Sequence, residues 1–281
     1  MAAYFEGWYV KQQTDDEVIA FIPALHTAPN GQRTASLQIA TPGASYSVPY
    51  PSMEIEPGRR ALRIGESLFS PSGCTLDVRS GGVTLAGKLT FSQVRPPRYD
   101  IMGPFRFAPR MQCRHCVISM AHRVDGELTL NGRQYRFRSA HGYIEGDRGV
   151  SFPSRYVWTQ CCFDGGSVML SVADIPYLGL HFKGCIAFVY LNGKEYRLAT
   201  YLGARVEAVD NRAVVIRQGR LCLTARLLRA QAAPLQAPSA GIMQRTIHEG
   251  ARCTVAYRFT DAAHERFSLL SEQASFEGAW D

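Results

Sequence analysis

Between residues 139 and 160 the chain reads SAHGYIEGDRGVSFPSRYVWTQ, a stretch that gathers His141, Tyr143, Glu145, Asp147 and Arg148. Two carboxylates two residues apart on an extended segment project to the same side. If that side faces a cavity, mutual repulsion and desolvation can keep one of them protonated near neutral pH, the state an acid catalyst needs. Arg148 works against this, because a guanidinium beside a carboxyl favours the ionised form. Glycines at 142, 146 and 149 mark places where the backbone turns tightly or approaches something closely. The competing reading is a solvated Gly-Asp-Arg-Gly hairpin turn in which Glu145 pairs with Arg148.

Such a cluster needs a rigid frame, and the pattern around it is that of short strands. From 30 to 95 the segments RTASLQIA, SYSVPY, ALRIGESLF, CTLDVRS and VTLAGKLTFSQV are separated by Asn30-Gly31, Pro42-Gly43, Pro57-Gly58, Pro71-Ser72-Gly73 and Gly81-Gly82. That spacing predicts an antiparallel sandwich or barrel, and no long segment sustains a 3.6-residue apolar period, so helices should be few. YFEGWYVKQQ and VIAFIPAL at the start read as a hairpin around Thr14 to Glu17, while Asn131-Gly132 and Asn192-Gly193 mark two more. Residues 95–111 carry four prolines and cannot continue a central strand. They are read as the link between an N-terminal domain, 1–100, and a C-terminal domain, 101–281, and also as a candidate pocket lip. Residues 230–245, rich in Ala, Pro and Gln, read as a loop, with Leu235 and Met243 suggesting that it folds over something apolar.

Several further residues are candidates for the same chemistry. Trp8 and Tyr9 in the first strand can line a pocket, and Glu6 among those aromatics calls for a buried partner or a function. In QCRHCVISMAH, strict alternation puts Cys113, His115, Val117, Ser119 and Ala121 on one face and Arg114, Cys116, Ile118, Met120 and His122 on the other, so His115 and His122 cannot act as a pair. Asp174 precedes Ile175-Pro176 in an apolar run, as a buried acid or as an acceptor of backbone hydrogen bonds at a strand break. Five residues of FEGAW at the C-terminal end echo FEGWY at the start, too few to claim a repeat.

Composition narrows the function classes. The chain has 281 residues, 46% hydrophobic and 20% charged, and a net charge of +7. The basic residues are scattered, without a basic helix or run, which argues against nucleic-acid binding. A diffuse positive surface is compatible with peripheral contact to anionic membranes. No segment has the continuous apolar length of a membrane helix, and the N-terminal residues lack a signal-peptide pattern, so a cytoplasmic protein with reduced cysteines is expected. The single Cys113-Arg-His-Cys116 has no second pair at zinc spacing, and no metal site is expected. There is no Gly-x-Gly-x-x-Gly after a strand and no P-loop, so the chemistry should need no cofactor.

YFEGWYVK, MQCRHCVISMAHRVDGELTLNG, GYIEGDRGVSFPSRYVWTQ, VMLSVADIPYLGLHFKGCIAFVYLNGKEYRLATYLGA and APSAGIMQRTIHE resemble, in order, the motifs of the tocopherol cyclase family. The central motif departs from the family's usual Glu-Lys-Asp-Trp-Gly, reading Glu145-Gly146-Asp147-Arg148-Gly149. The resemblance implies an all-β architecture of two lipocalin-like barrel or half-barrel domains. It also implies protonation of an alkene in a hydrophobic, prenylated substrate and capture of the tertiary cation by a phenol oxygen. In that chemistry Asp147 or Glu145 is the candidate acid, and Trp158, Tyr156 and Trp8 are candidates to stabilise the cation through their π faces. His115, His141 or Tyr143 is the candidate acceptor of the phenolic proton. Tyr9, Asp174 and Arg148 complete the expected substrate-contacting set. A carotenoid-type hydratase and a non-catalytic isoprenoid carrier are the alternatives.

Overall fold

Twenty-one strands make up 72% of the computed structural model, which describes residues 3–109, 111–177, 179–231 and 233–280, with the side chains of residues 59, 233, 243, 244 and 247–249 outside the description. The first sheet contains β1 (Tyr4–Gln13), β2 (Val18–Thr27), β3 (Arg33–Thr41), β4 (Ala44–Tyr50), β5 (Glu54–Ile55), β6 (Leu62–Ile64), β7 (Ser67–Ser70), β8 (Gly73–Ser80), β9 (Val83–Ser92), β10 (Cys113–Leu130) and β11 (Arg133–Gly149). The second contains β12 (Tyr156–Phe163), β13 (Gly166–Tyr177), β14 (Leu180–Leu191), β15 (Lys194–Ala199), β16 (Arg205–Val209), β17 (Ala213–Gln218), β18 (Leu221–Arg229), β19 (Ala233–Ser239), β20 (Ile242–Asp261) and β21 (His264–Ala279). Among the described residues the only helical segments are three short 3-10 turns. The expected all-β architecture of two lipocalin-like barrel or half-barrel units is the one observed.

The two sheets share one plan. Each opens with a four-strand meander, and in each the first strand is flanked by the last, β1 by β11 and β12 by β21. Pairing the first strand with the last leaves neither at an edge, while β4 and β5 end the first sheet and β15 and β16 the second. The expected boundary near residue 100 is therefore displaced: β10 and β11 belong to the first sheet, and the sheets divide between Gly149 and Tyr156. The prolines of 95–111 interrupt the chain between β9 and β10 without ending the domain.

Three apolar clusters follow from this plan. One fills the first sheet around Trp8, Phe21, Phe69 and Ile144, one fills the second around Tyr257 and Phe259, and a third lies between the sheets around Tyr9, Tyr143, Trp158 and Phe188. Because β1 and β11 are covered on both faces, YFEGWYVKQQ and the middle of β11 are buried almost continuously rather than in alternation. Even-numbered Trp8 and Val10 enter the first core, and odd-numbered Tyr9 faces the second sheet.

Two local expectations change. The Gly-Asp-Arg-Gly segment is not a hairpin turn: β11 runs through it to Gly149. Residues 230–245 are not a loop, because β19 pairs with the start of β20; Pro234 and Pro238, which lack an N–H, are tolerated there since β19 is an edge strand bonded on one side only. Leu235 is buried in the inter-sheet cluster, while the side chain of Met243 lies outside the described residues.

Candidate active site

Alternation along β11 sends Tyr143, Glu145 and Asp147 out of the first sheet toward the second, and the register aligns Tyr9 with Glu145 and Gly7 with Asp147 on β1. On the other side of β11, His115 lies opposite Asp147 and Val117 opposite Glu145. Beyond Val117 the ladder of β10 slips twice, between Val117 and Ser119 and between Ser119 and His122. The irregularity brings Met120 into the same inter-sheet cluster as Val117, against strict alternation, and leaves His122 against Phe91, away from His115. From the second sheet β12 contributes Tyr156 and Trp158, and β21 contributes Glu277, the cross-strand neighbour of Trp158.

These side chains meet in a cavity of about 200 Å³ between the sheets. Its walls are mostly apolar and include Phe5, Ile22, Met111, Phe152, Ile175 and Ile186. Met102 and Phe105, from the proline-rich segment, also line it, so that segment does form a lip as the sequence suggested.

The polar end of the cavity is a connected group. Glu145 Oε2 accepts hydrogen bonds from Tyr143 Oη at 2.6 Å and from Trp158 Nε1 at 3.1 Å. Asp147 Oδ1 stands 2.9 Å from His115 Nδ1 and accepts a hydrogen bond from Cys113 Sγ at 3.4 Å. The other ring nitrogen, His115 Nε2, is 3.3 Å from Glu145 Oε2, an ion-pair contact that lacks the direction of a hydrogen bond. Burial by itself lowers the pKa of His115, but Asp147 and then Glu145 outweigh it and hold the imidazole well above its ordinary value. Burial and then the Glu145 charge push Tyr143 well up, so its hydroxyl donates rather than ionises. Glu277, buried near both carboxylates, is pushed up to about 8 by desolvation first and by the charges of Asp147 and Glu145 next.

His115, Glu145 and Asp147 offer ligand atoms within 4.8 Å of one another. The imidazole, however, turns Nδ1 to Asp147 and Nε2 to Glu145, on opposite edges of the ring. The imidazole thus bridges the two carboxylates as an ion-paired group.

Of the predicted site residues, Trp8, Tyr9, His115, Glu145, Asp147, Tyr156 and Trp158 all line the cavity, and Tyr143 reaches it through Glu145. Tyr9 and Trp158 pack edge to face at 5.4 Å, with Tyr9 Oη 3.0 Å from Ser275 Oγ. Three do not belong. His141 lies further along β11, where its Nε2 faces Asp164 at 3.3 Å. Asp174 pairs with His181 at 3.2 Å and does not line the cavity. Arg148 is turned by alternation to the other face of β11, opposite Glu6 and Arg114, so the expected guanidinium beside the acid is absent from the cavity.

Sequence reasoning missed Glu277. Its signal is the likeness of YIEG at 143–146 to SFEG at 275–278, which end equivalent strands, β11 and β21; the FEGWY echo falls on β1, which has no such equivalence.

No protein-family model matches the sequence, and no curated protein matches it. Solved structures do share its fold along 99% of this chain: CghA with Sch210972 (TM-score 0.64, 12% identity, 89% of that chain) and an AttH-like protein from Nitrosomonas europaea (0.55, 12%, 93%). Kievitone hydratase from Nectria haematococca also shares it (0.51, 8% identity, 89% of that chain). At these identities the likeness establishes a common lipocalin-like fold.

Proposed function

We propose that this chain is a cofactor-independent cyclase or isomerase of the tocopherol cyclase type, which protonates an alkene of a hydrophobic, prenylated quinol-like substrate and closes an oxygen heterocycle. The observation that carries this reading is the placement of one charged group, His115 held between Asp147 and Glu145, at the end of an otherwise apolar cavity. An apolar binding wall with a few convergent polar groups and displaced pKa values is the arrangement expected of a site that binds a lipophilic molecule and moves a proton.

Trp8, Tyr9, Tyr156 and Trp158 line the cavity, where aromatic π faces stabilise a developing carbocation. Each such contact is worth on the order of 1 kcal/mol or more once water is excluded. Phe107 and Leu180, 77% and 75% exposed, lie two residues from the cavity-lining Phe105 and Phe182 and offer an apolar approach for a lipophilic substrate or a membrane surface.

The test is turnover on a panel of prenylated quinols and polyenes in deuterated buffer, with Glu145→Gln and Asp147→Asn beside wild type. Deuterium at a new carbon in the product, diminished in both variants, supports protonation-initiated chemistry. Binding across the panel without deuterium uptake favours a carrier. Uptake of deuterium with an added hydroxyl and no ring favours a hydratase, the reading to which the fold shared with kievitone hydratase lends support.

A further inference from the structure

Glu277 sits in the same cavity as Glu145 and Asp147 but on the other sheet. It occupies on β21 the place that Glu145 occupies on β11, each followed by a glycine and each beside an aromatic cross-strand neighbour, Trp158 for Glu277 and Tyr9 for Glu145. Their hydrogen bonding differs. Trp158 donates its Nε1–H across the cavity to Glu145, although Glu277 is its strand neighbour. Glu277 is 7% exposed and its Oε1 has no partner among the described residues. The hydroxyl of Tyr156, two residues before Trp158 on β12 and also lining the cavity, is likewise buried without a partner among them. Buried polar atoms are seldom left unsatisfied, and both of these belong to residues that line one cavity.

We propose that Glu277, and neither Glu145 nor Asp147, delivers the proton to the substrate; this rests on the function proposed above. Glu145 and Asp147 are each tied through one oxygen, Glu145 Oε2 to Tyr143 and Trp158 and Asp147 Oδ1 to Cys113 and His115, whereas no such donor or cation among the described residues holds Glu277 Oε1. The titratable groups that share the cavity with Glu277 are Tyr9, His26, Cys113, His115, Glu145, Asp147, Tyr156, Cys185 and Tyr201. His26 is kept neutral by burial, with its pKa lowered to about 4, and the nearest negative charges raise the carboxyl of Glu277 as burial does.

The step balances within the substrate. The Glu277 O–H bond breaks as a C–H bond forms at the less substituted alkene carbon, the π bond is lost and a tertiary cation remains beside the aromatic wall. A lone pair of the phenol oxygen closes the C–O bond, and the phenolic proton returns to the Glu277 carboxylate, restoring the acid. No oxidant or reductant is consumed, and the net change is an isomerisation.

The experiment pairs a titration with a transfer assay. With glutamate labelled at the side-chain carboxyl carbon, NMR of the wild-type protein is expected to show one carboxyl titrating at about 8, absent from Glu277→Gln and present but shifted down in Glu145→Gln, where one of the charges that raise it is lost. Deuterium transfer in Glu277→Gln is expected to fall about 100-fold or more, the usual contribution of a general acid, with ligand affinity kept. Glu277→Asp, which keeps the carboxyl but draws it back by one methylene, covers the case in which glutamine disturbs folding; it should retain the titration and lose most transfer. Transfer in Glu277→Gln at the wild-type rate overturns the donor assignment alone. A wild type that transfers deuterium to no substrate overturns the function proposed above, and a Glu277 carboxyl that is ionised at neutral pH overturns the donor assignment whatever the substrate.

Discussion

Glu145 and Glu277 stand at corresponding positions on the closing strands of the two sheets, yet Glu145 accepts two hydrogen bonds on one oxygen and pairs with His115, while Glu277 has an oxygen with no partner among the described residues. The same fold plan used twice thus brings two carboxyls into one cavity with opposite surroundings. One is tied to donors and a cation, and the other is held where ionisation is disfavoured. Acids placed in such unlike surroundings are how a single site supplies both a proton and a fixed negative charge.

His115 should matter to stability as well as to chemistry. Replacing it by Gln removes the cation between Asp147 and Glu145, whose side chains are 22% and 7% exposed, and leaves two carboxylates facing each other. Loss of one partner from such a buried arrangement is expected to destabilise the fold by roughly 3 kcal/mol at pH 7. His115 is held well above its ordinary 6.5, so its contribution is complete below 6.5 and is lost as pH rises through the folded value, and the deficit should be larger at pH 5 than at pH 7. Urea denaturation of His115→Gln at pH 7 and pH 5 measures this, and an equal deficit at both values would contradict it.

The pH dependence of stability should have a maximum with identifiable limbs. Burial lowers His122 to about 3 and His26 to about 4, from an ordinary 6.5. Their unfolded forms take up protons that the folded forms refuse, so their stabilising contribution is complete above 6.5 and is lost as pH falls through the folded values. Glu277 acts in the opposite sense: the folded protein keeps its proton up to about 8 and the unfolded chain releases it near 4.5. That contribution is complete below 4.5 and is lost as pH rises through about 8. Thermal or urea unfolding across this range should show both limbs, with the decline between 4.5 and about 8 reduced in Glu277→Gln.

Gly146 separates Glu145 from Asp147 and is constrained by contact, not by backbone angle. A Cβ built there would lie 2.9 Å from Trp8 Cδ1, 3.2 Å from the Gly7 carbonyl oxygen and 3.3 Å from Cys116 Sγ. Gly146→Ala must therefore move Trp8 against the first-sheet core, at about 1–3 kcal/mol. A lowered melting temperature together with a changed tryptophan emission is the expected result. Wild-type values for both would show that the core absorbs the methyl group.

Much of the frame was legible in the sequence because turns are local chemistry. The Asn-Gly pairs at 131–132 and 192–193 fall in hairpins, and the polar stretch from Thr14 to Glu17 joins β1 to β2, as read from their residue types. Period-2 alternation also put Glu145 and Asp147 on one face of one strand without any knowledge of their neighbours. Alternation failed on β10, where two register slips moved Met120 and could not be read from residue type. The prolines at 95–111 and 234–238 were misleading for the same reason: proline reports a missing N–H, and whether that ends a domain or merely marks an edge depends on what lies beside it.

The sequence by itself determined that the chain is all-β, that its strands are antiparallel, and that an acid pair on one strand faces a single side, since these follow from turn chemistry and the two-residue strand period. Only the tertiary structure decided which histidine serves that pair, because His115 and His141 are alike in type and differ in the strand register that brings one, and not the other, between the carboxylates. It also decided that Glu277, on the last strand of the chain, enters the cavity from the opposite sheet. Strand alternation fixes which side a residue takes within its own sheet, whereas the meeting of Glu277 with Glu145 and Asp147 depends on how one sheet packs against another, which no local spacing encodes.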